Sequence, residues 1–212
     1  MKFYLRIAAL AFAAFVIVAC NQSGSEKVVK DEYELNEPEK KPAEETKTEP
    51  VTAPAKKAET LILQLKDGTV EIALRPDLAP KHVERVTTLA NKGFYDGIVF
   101  HRVIDGFMAQ TGDPTGTGTG GSELPDIPAE FSSEPFRRGT LGMARSTDPN
   151  SANSQFFIMF ARGDFLDGKY TVFGQVTKGM EVVDRIKRGD AAANGQVTNP
   201  DKIIKMRTSG AN

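Results

Sequence analysis

Hydrophobic residues fall into three regimes along this chain. From Ile7 to Ala19 they are unbroken, from 21 to about 58 the large ones nearly vanish, and from Leu61 onward they recur at regular spacings. The third regime opens with Leu61, Leu63 and Leu65, then Val70, Ile72 and Leu74. Each set alternates with other residues, the period of a strand with one buried face. Asp67-Gly68 between the sets predicts a two-residue type I′ turn, which needs φ > 0 at both positions. A helix is predicted next: Pro80 suits its first turn, Val83, Val86, Leu89 and Ala90 form one stripe, and Gly93 suits its C-terminal end. His82 falls off that stripe and is expected to face solvent.

Short apolar runs then follow between glycine-rich turns: Ile98–Ile104, Phe107–Gln110, Leu141–Ala144, Phe156–Phe160, Thr171–Val176 and Ile203–Met206. A second helix is predicted over Met180–Arg188, with Val182, Val183 and Ile186 apolar and Lys187 and Arg188 in its last turn. Many short strands and two helices predict a mainly β domain over 59–212, an antiparallel barrel with helices covering its open ends. No internal repeat interrupts it.

The first regime reads as an export signal. Lys2 and Arg6 precede the apolar run, which has the length of a signal-peptide core and is too short to span a bilayer. It stops at Ile17-Val18-Ala19-Cys20, and Cys20 is the only cysteine. That excludes a disulfide within the chain. Residues 1–19 resemble a bacterial lipoprotein signal peptide, with Ile17 where leucine is usual. The resemblance implies that Cys20 is lipidated and becomes the mature N-terminus; an ordinary secretory signal beside a chance cysteine is the alternative. Two or three acyl chains anchor stably where one does not, each buried methylene contributing about 0.8 kcal/mol. Residues 20–58, rich in Glu, Lys, Pro and Thr, bury too little apolar surface to offset their ordering entropy. As a coil they give an end-to-end distance of about 35 Å, a leash; a tail that folds on a partner is the other reading.

Composition excludes several functions. A net charge of −1 gives no field for nucleic acid. Two histidines and one cysteine argue against a zinc site. The run Gly116-Thr117-Gly118-Thr119-Gly120-Gly121 lacks the Lys-Ser/Thr ending of a phosphate loop, and no βαβ context surrounds it. No cofactor is expected.

The chemistry concentrates in Phe100-His101-Arg102-Val103-Ile104-Asp105-Gly106-Phe107-Met108-Ala109-Gln110. One guanidinium, one amide, a Phe and a Met suit a pocket that grips an apolar ring and hydrogen-bonds the amide beside it. The segment has no activated nucleophile, paired carboxylates or metal cluster. Adjacent strand residues point to opposite faces, so His101 is expected away from Arg102, and Phe156 inside the barrel with Phe157 outside. Asp113 is expected to fix a loop.

This segment, with Gly93-Phe94-Tyr95-Asp96-Gly97, Gly112-Asp113-Pro114, Gly142-Met143-Ala144-Arg145, Asn153-Ser154-Gln155-Phe156-Phe157-Ile158 and Phe165-Leu166-Asp167-Gly168-Lys169-Tyr170-Thr171, resembles the bacterial cyclophilin-type peptidyl-prolyl isomerases in family order from about Leu61 to Met206. The resemblance implies an eight-stranded antiparallel barrel capped by two α-helices, with the proline site on its outer face. It implies Arg102 and Gln110 as catalytic residues. Phe107, Met108, Phe157 and Leu166 would form the proline pocket, and Ala144, Arg145, Gln155, Phe165 and Tyr170 the rest of the substrate site. Phe165 and Tyr170 stand where eukaryotic members have tryptophan and histidine, and Arg145 where they have asparagine. Phe165 has no indole N–H, so weak cyclosporin binding is expected. The implied partners are proline-containing unfolded or partly folded exported proteins and, through the lipid, a bacterial membrane. A groove that binds clients without turnover remains the alternative from another class.

Overall fold

The computed structural model describes residues 59–211. The expected signal peptide with Cys20, and the leash expected over 20–58, lie outside the described residues. Eight strands form one antiparallel sheet: β1 (Thr60–Leu65), β2 (Gly68–Leu74), β3 (Arg102–Ile104), β4 (Met108–Thr111), β5 (Thr140–Met143), β6 (Phe156–Met159), β7 (Val172–Lys178) and β8 (Lys205–Thr208). Their spatial order is β3-β4-β6-β5-β7-β2-β1-β8. Two helices pack on it, α1 (Pro80–Asn91) against β8 and β7 and α2 (Met180–Val183) against β2.

The period-2 pattern decides which way each strand faces. Leu61, Leu63 and Leu65 of β1 and Val70, Ile72 and Leu74 of β2 are all buried, in the register Leu61↔Ile72 and Leu63↔Val70. The turn between them sits one residue earlier than the sequence suggests. Leu65 pairs with Gly68, so Lys66 and Asp67 form the loop, and neither has positive φ. Gly68 instead opens β2 at φ 143°. The turn is therefore not type I′; the strand pairing, not the Asp-Gly dipeptide, sets its position.

The two edge strands β3 and β8 do not pair with each other. The irregular segments leading into them do: Gly97 N–H donates to Ile203 O (2.8 Å), Ile203 N–H to Ile98 O (2.9 Å), Phe100 N–H to Asp201 O (2.8 Å) and Val197 N–H to His101 O (3.1 Å). These bonds satisfy backbone that an open edge would leave bare. They also explain why the predicted strand Ile98–Ile104 is regular only from Arg102.

Inside, Tyr95, Phe100, Phe156 and Phe173 are fully buried, with Phe156 edge-on to Tyr95 (5.5 Å) and Phe173 (6.0 Å). Phe157 points the other way and stacks on Phe136 (5.7 Å) in a second cluster with Met108, Met159, Leu166 and Val172. Gly142 allows this close approach, since a methyl there would collide with both Phe157 and Phe136 rings.

α1 ends as predicted. Gly93 is left-handed (φ 78°), its N–H donates to Ala90 O and that of Phe94 to Leu89 O, a Schellman cap. α2 is shorter than predicted. After Val183 the bonds tighten to i→i−3, as in Ile186 N–H to Val183 O, and Lys187 N–H leaves the helix for Asp201 Oδ2 (2.9 Å). Lys187 and Arg188 thus lie beyond its last turn, although Val182, Val183 and Ile186 are buried as expected.

His82 is the clearest correction: it is fully buried, not solvent-facing. Ala79 at the N-cap of α1 has no side-chain acceptor, so Glu130 arrives from a distant loop. Glu130 accepts from Lys81 N–H (3.1 Å), His82 N–H (3.1 Å) and His82 Nδ1 (2.7 Å). Burial lowers the imidazole pKa against the opposing pull of Glu130, so the neutral ring donates through Nδ1. Glu130→Ala removes a helix cap and orphans a buried donor. The expected cost is about 2 kcal/mol, seen as a lower urea midpoint with an unchanged m-value; an unshifted midpoint would mean the cap contributes nothing.

Candidate active site

One row of residues crosses the outer face of the sheet. Arg102 of β3 pairs with Gln110 of β4, Gln110 with Phe157 of β6, and Phe157 with Gly142 of β5. The parallel row Val103, Ala109, Ile158 and Leu141 faces inward and is fully buried. Because one strand residue reverses the side-chain direction, the register that buries the second row turns Arg102, Gln110 and Phe157 toward the groove.

The row opens into a cavity of about 420 Å³ lined by Arg102, Phe107, Met108, Gln110, Ala144, Arg145, Phe157, Phe165, Leu166 and Tyr170. All ten are residues the sequence singles out. Phe107, from the β3–β4 turn, sits 5.3 Å from the Phe165 ring, and Phe165 is 61% exposed at the rim. Tyr170 meets Phe157 edge-on at 6.0 Å. Arg145 lies over the Tyr170 ring (4.5 Å) and donates to Ser146 O (2.9 Å) and Lys169 O (3.0 Å), so its guanidinium ties two loops together. A second cavity of about 530 Å³ adjoins the first and shares Gln110, Ala144 and Arg145 with it.

Gln155 borders that second cavity and joins the first through hydrogen bonds. Arginine only donates, which fixes every orientation that follows. Arg102 Nη1 donates to Gln110 Oε1 (3.1 Å), the Gln110 amide donates through Nε2 to Gln155 Oε1 (2.9 Å), and Gln155 Nε2 donates to Gly120 O (2.8 Å) and Gly118 O (3.1 Å). Burial lowers the Arg102 pKa, with Tyr170 opposing; the group stays a cation.

Its partners are neutral oxygens, as are those of Arg85, Arg145 and Arg185. Arg75, Arg138, Arg162, Arg188 and Arg207 each pair with a carboxylate. Arg102 is held by oxygens of Gln110 and Asn194. Sequence reasoning missed Asn194. The available signal was Asn194-Gly195, the dipeptide favoured in type I′ turns. Both residues are left-handed (φ 54° and 80°), with Gln196 N–H bonded back to Ala193 O (3.1 Å).

His101 is buried away from the cavity, and neither ring nitrogen has a hydrogen-bond partner. Burial lowers its pKa and keeps the ring neutral, and because it lines neither cavity it is a structural group. Among the described residues no three His, Cys, Asp or Glu side chains are grouped to hold a metal.

An apolar cavity with a fixed cation and aligned amides at its lip suits a ring and its neighbouring peptide bond. The model of the cyclophilin type peptidyl-prolyl cis-trans isomerases matches residues 60–208. The chain belongs to the cyclophilin family. It is a peptidyl-prolyl cis-trans isomerase of that type. It is 62% identical over 157 residues to a probable peptidyl-prolyl cis-trans isomerase of Brucella suis, covering 69% of this chain and 80% of the relative. A Cryptosporidium parvum cyclophilin, crystallised in the presence of the dipeptide Ala-Pro, is similar with a TM-score of 0.66 at 28% identity, covering 71% of this chain and 99% of that one. A cyclophilin from Hirschia baltica aligns with a TM-score of 0.62 at 27% identity over 69% of this chain and 72% of that one.

In this cyclophilin the glycine-rich run is a buttress for the site. Asp113 accepts from Thr115 N–H (2.7 Å) and Gly118 N–H (2.6 Å), and Gly118 O in turn accepts from Gln155. Burial pushes the Asp113 carboxyl up, but hydrogen bonds from Thr115, Gly120 and Gly118 outweigh it and hold the pKa at about 2. A folded pKa below the unfolded value stabilises the protein above the unfolded value, and that stability is lost as pH falls toward 2. Asp113→Asn is expected to be less stable near pH 6, with the gap narrowing by about 2 kcal/mol between pH 4 and pH 2. Denaturation at a series of pH values measures it; a constant gap would refute the assignment.

Proposed function

We propose that this cyclophilin isomerises X–Pro bonds in exported proteins while tethered to a bacterial membrane through a lipidated Cys20. The observation that carries the catalytic part is the cross-strand row that sets the Arg102 guanidinium and the Gln110 amide at the mouth of an apolar cavity. Rotation about an X–Pro amide meets a barrier of roughly 18–20 kcal/mol, because the nitrogen lone pair is shared with the carbonyl. No bond has to break. The site has only to bind the twisted amide more tightly than either planar form.

The residue roles follow. Phe107, Met108, Phe157 and Leu166 take the proline ring, and Phe165 and Tyr170 close the rim. As the amide twists, its nitrogen regains a lone pair, and Arg102 donates to it. That donation favours the twisted state and supplies about 3–4 kcal/mol, by comparison with one oxyanion-hole donor. Gln110 aligns the substrate backbone, Gln155 holds Gln110, and the backbone at Ala144 and Arg145 lines the groove for the preceding residues. The crystallisation of the Cryptosporidium relative with Ala-Pro supports a proline-containing partner.

The tether and the export rest on sequence: the cationic start at Lys2 and Arg6, the apolar run to Ala19, and the sole cysteine at its end. They put the catalytic domain outside the cytoplasm, in the periplasm where the envelope has an outer membrane.

Arg102→Ala is expected to lower kcat/KM on an X–Pro peptide by about two to three orders of magnitude, followed by NMR exchange, with the melting temperature little changed. The same assay with cyclosporin added should show only weak inhibition, since Phe165 lacks a donor. Activity indifferent to Arg102→Ala would sink the assigned roles. For the anchor, Cys20→Ser should abolish labelling by a radioactive fatty acid and move the protein out of the membrane fraction. Retention of both label and fractionation would overturn the lipid assignment.

A further inference from the structure

Arg102 is gripped by one residue 92 positions away in sequence. Its Nε–H donates to the backbone oxygen of Asn194 (3.0 Å), and its Nη2 donates to Asn194 Oδ1 (3.0 Å). These donors lie side by side on one edge of the planar guanidinium. Asn194 therefore offers two oxygens from one residue, in the forked arrangement by which a carboxylate usually receives arginine. Unlike a carboxylate, it carries no charge.

The turn that aims these oxygens is itself fixed. Asn194 has φ 54° and ψ 33°, a conformation asparagine tolerates better than most residues. Gly195 N–H donates to Asp190 O (2.7 Å), and Gly195 O accepts from Val103 N–H (2.8 Å), the residue after Arg102. A methyl on Gly195 would collide with Ile104. The turn is thus bonded to β3 itself, and its two oxygens keep a set position relative to the Arg102 side chain.

We infer that Asn194 is the positioning residue of this active site, a neutral clamp that fixes the plane of the Arg102 guanidinium without cancelling its charge. The inference rests on the proposed role of Arg102. With the Nε–Nη2 edge occupied and one Nη1 proton on Gln110, one proton remains on each terminal nitrogen of a side chain that lines the cavity. A charged acceptor at the same place would hold the group equally well. It would also offset the field that makes donation to a neutral amide nitrogen effective. Arg138 and Arg162, which line neither site cavity, show the carboxylate-paired arrangement.

Two substitutions separate holding from charge. Asn194→Gly keeps the turn, because glycine adopts positive φ freely, and removes Oδ1 alone. Asn194→Asp restores an oxygen with a negative charge. Both are made in the full chain and assayed by NMR exchange on an X–Pro peptide, with melting curves and ¹⁵N spectra of the arginine side chains. Asn194→Gly is expected to lower kcat about tenfold with KM within about twofold. Its Arg102 Nη protons should exchange faster while the Nε–H, bonded to backbone, stays protected. Asn194→Asp should melt at or above the wild-type temperature, yet remain at least about fivefold slower in kcat. In an Arg102→Ala background, Asn194→Gly should have no further effect.

Wild-type kcat and unchanged Nη exchange in Asn194→Gly would overturn the clamp. Full activity in Asn194→Asp would overturn its neutrality as the working feature. A loss that persists undiminished in the Arg102→Ala background would make Asn194 merely structural and also overturn the inference. Wild-type activity of Arg102→Ala alone would instead remove the assigned role of that arginine, and the Nη exchange would still decide whether Asn194 holds it.

Discussion

The register of four neighbouring strands is the constraint on which the rest of this protein depends. Arg102, Gln110, Phe157 and Gly142 share one row across β3, β4, β6 and β5. Their neighbours Val103, Ala109, Ile158 and Leu141 share the next, and that row is the wall of the core. A slip of one residue in β3 or β4 would expose a core side chain and turn Arg102 or Gln110 inward. Core packing thus enforces the alignment of the site, and the site needs no separate device to hold its strands in phase.

What the register cannot do is orient the tips of long side chains. That work falls to a polar network that starts at a left-handed turn and ends at an aspartate. Asn194 and Gln110 hold the guanidinium, Gln155 holds Gln110, Gly118 and Gly120 hold Gln155, and Asp113 holds the loop that carries them. Donor and acceptor roles are forced along it, since each amide has a nitrogen end and an oxygen end and arginine accepts nothing. The aromatic cluster below, with Phe136 stacked on Phe157, keeps the cavity floor rigid without competing for those hydrogen bonds.

Much of this was legible in the sequence, because strand alternation is local and the family motifs lie on the strands themselves. Ten sequence-selected residues line one cavity, and Phe156 and Phe157 face opposite ways as their adjacency requires. The misread histidine and the misread helix end share a cause: each depended on a partner distant along the chain. His82 lies off the apolar stripe of α1, yet is buried because Glu130 reaches it across 48 positions. The end of α2 is set by the pull of Asp201 on Lys187 N–H. Asp67-Gly68 carried a turn signal that strand pairing overrode, whereas Asn194-Gly195 carried the same kind of signal and obeyed it. Local preference is a weak prior that tertiary pairing can overrule.

The pairing of β1 with β8 has a topological consequence. Leu61 faces Thr208 across that ladder, and Ser209 N–H donates to Thr60 O at 2.7 Å. The domain therefore ends beside the place where it begins. It is close to a closed loop of chain with a single cut, the arrangement in which circular permutation is tolerated. Moving the cut to an exposed turn would reorder every motif along the sequence and leave each cross-strand row intact. What the fold preserves is which residues stand side by side, not the order in which the chain visits them.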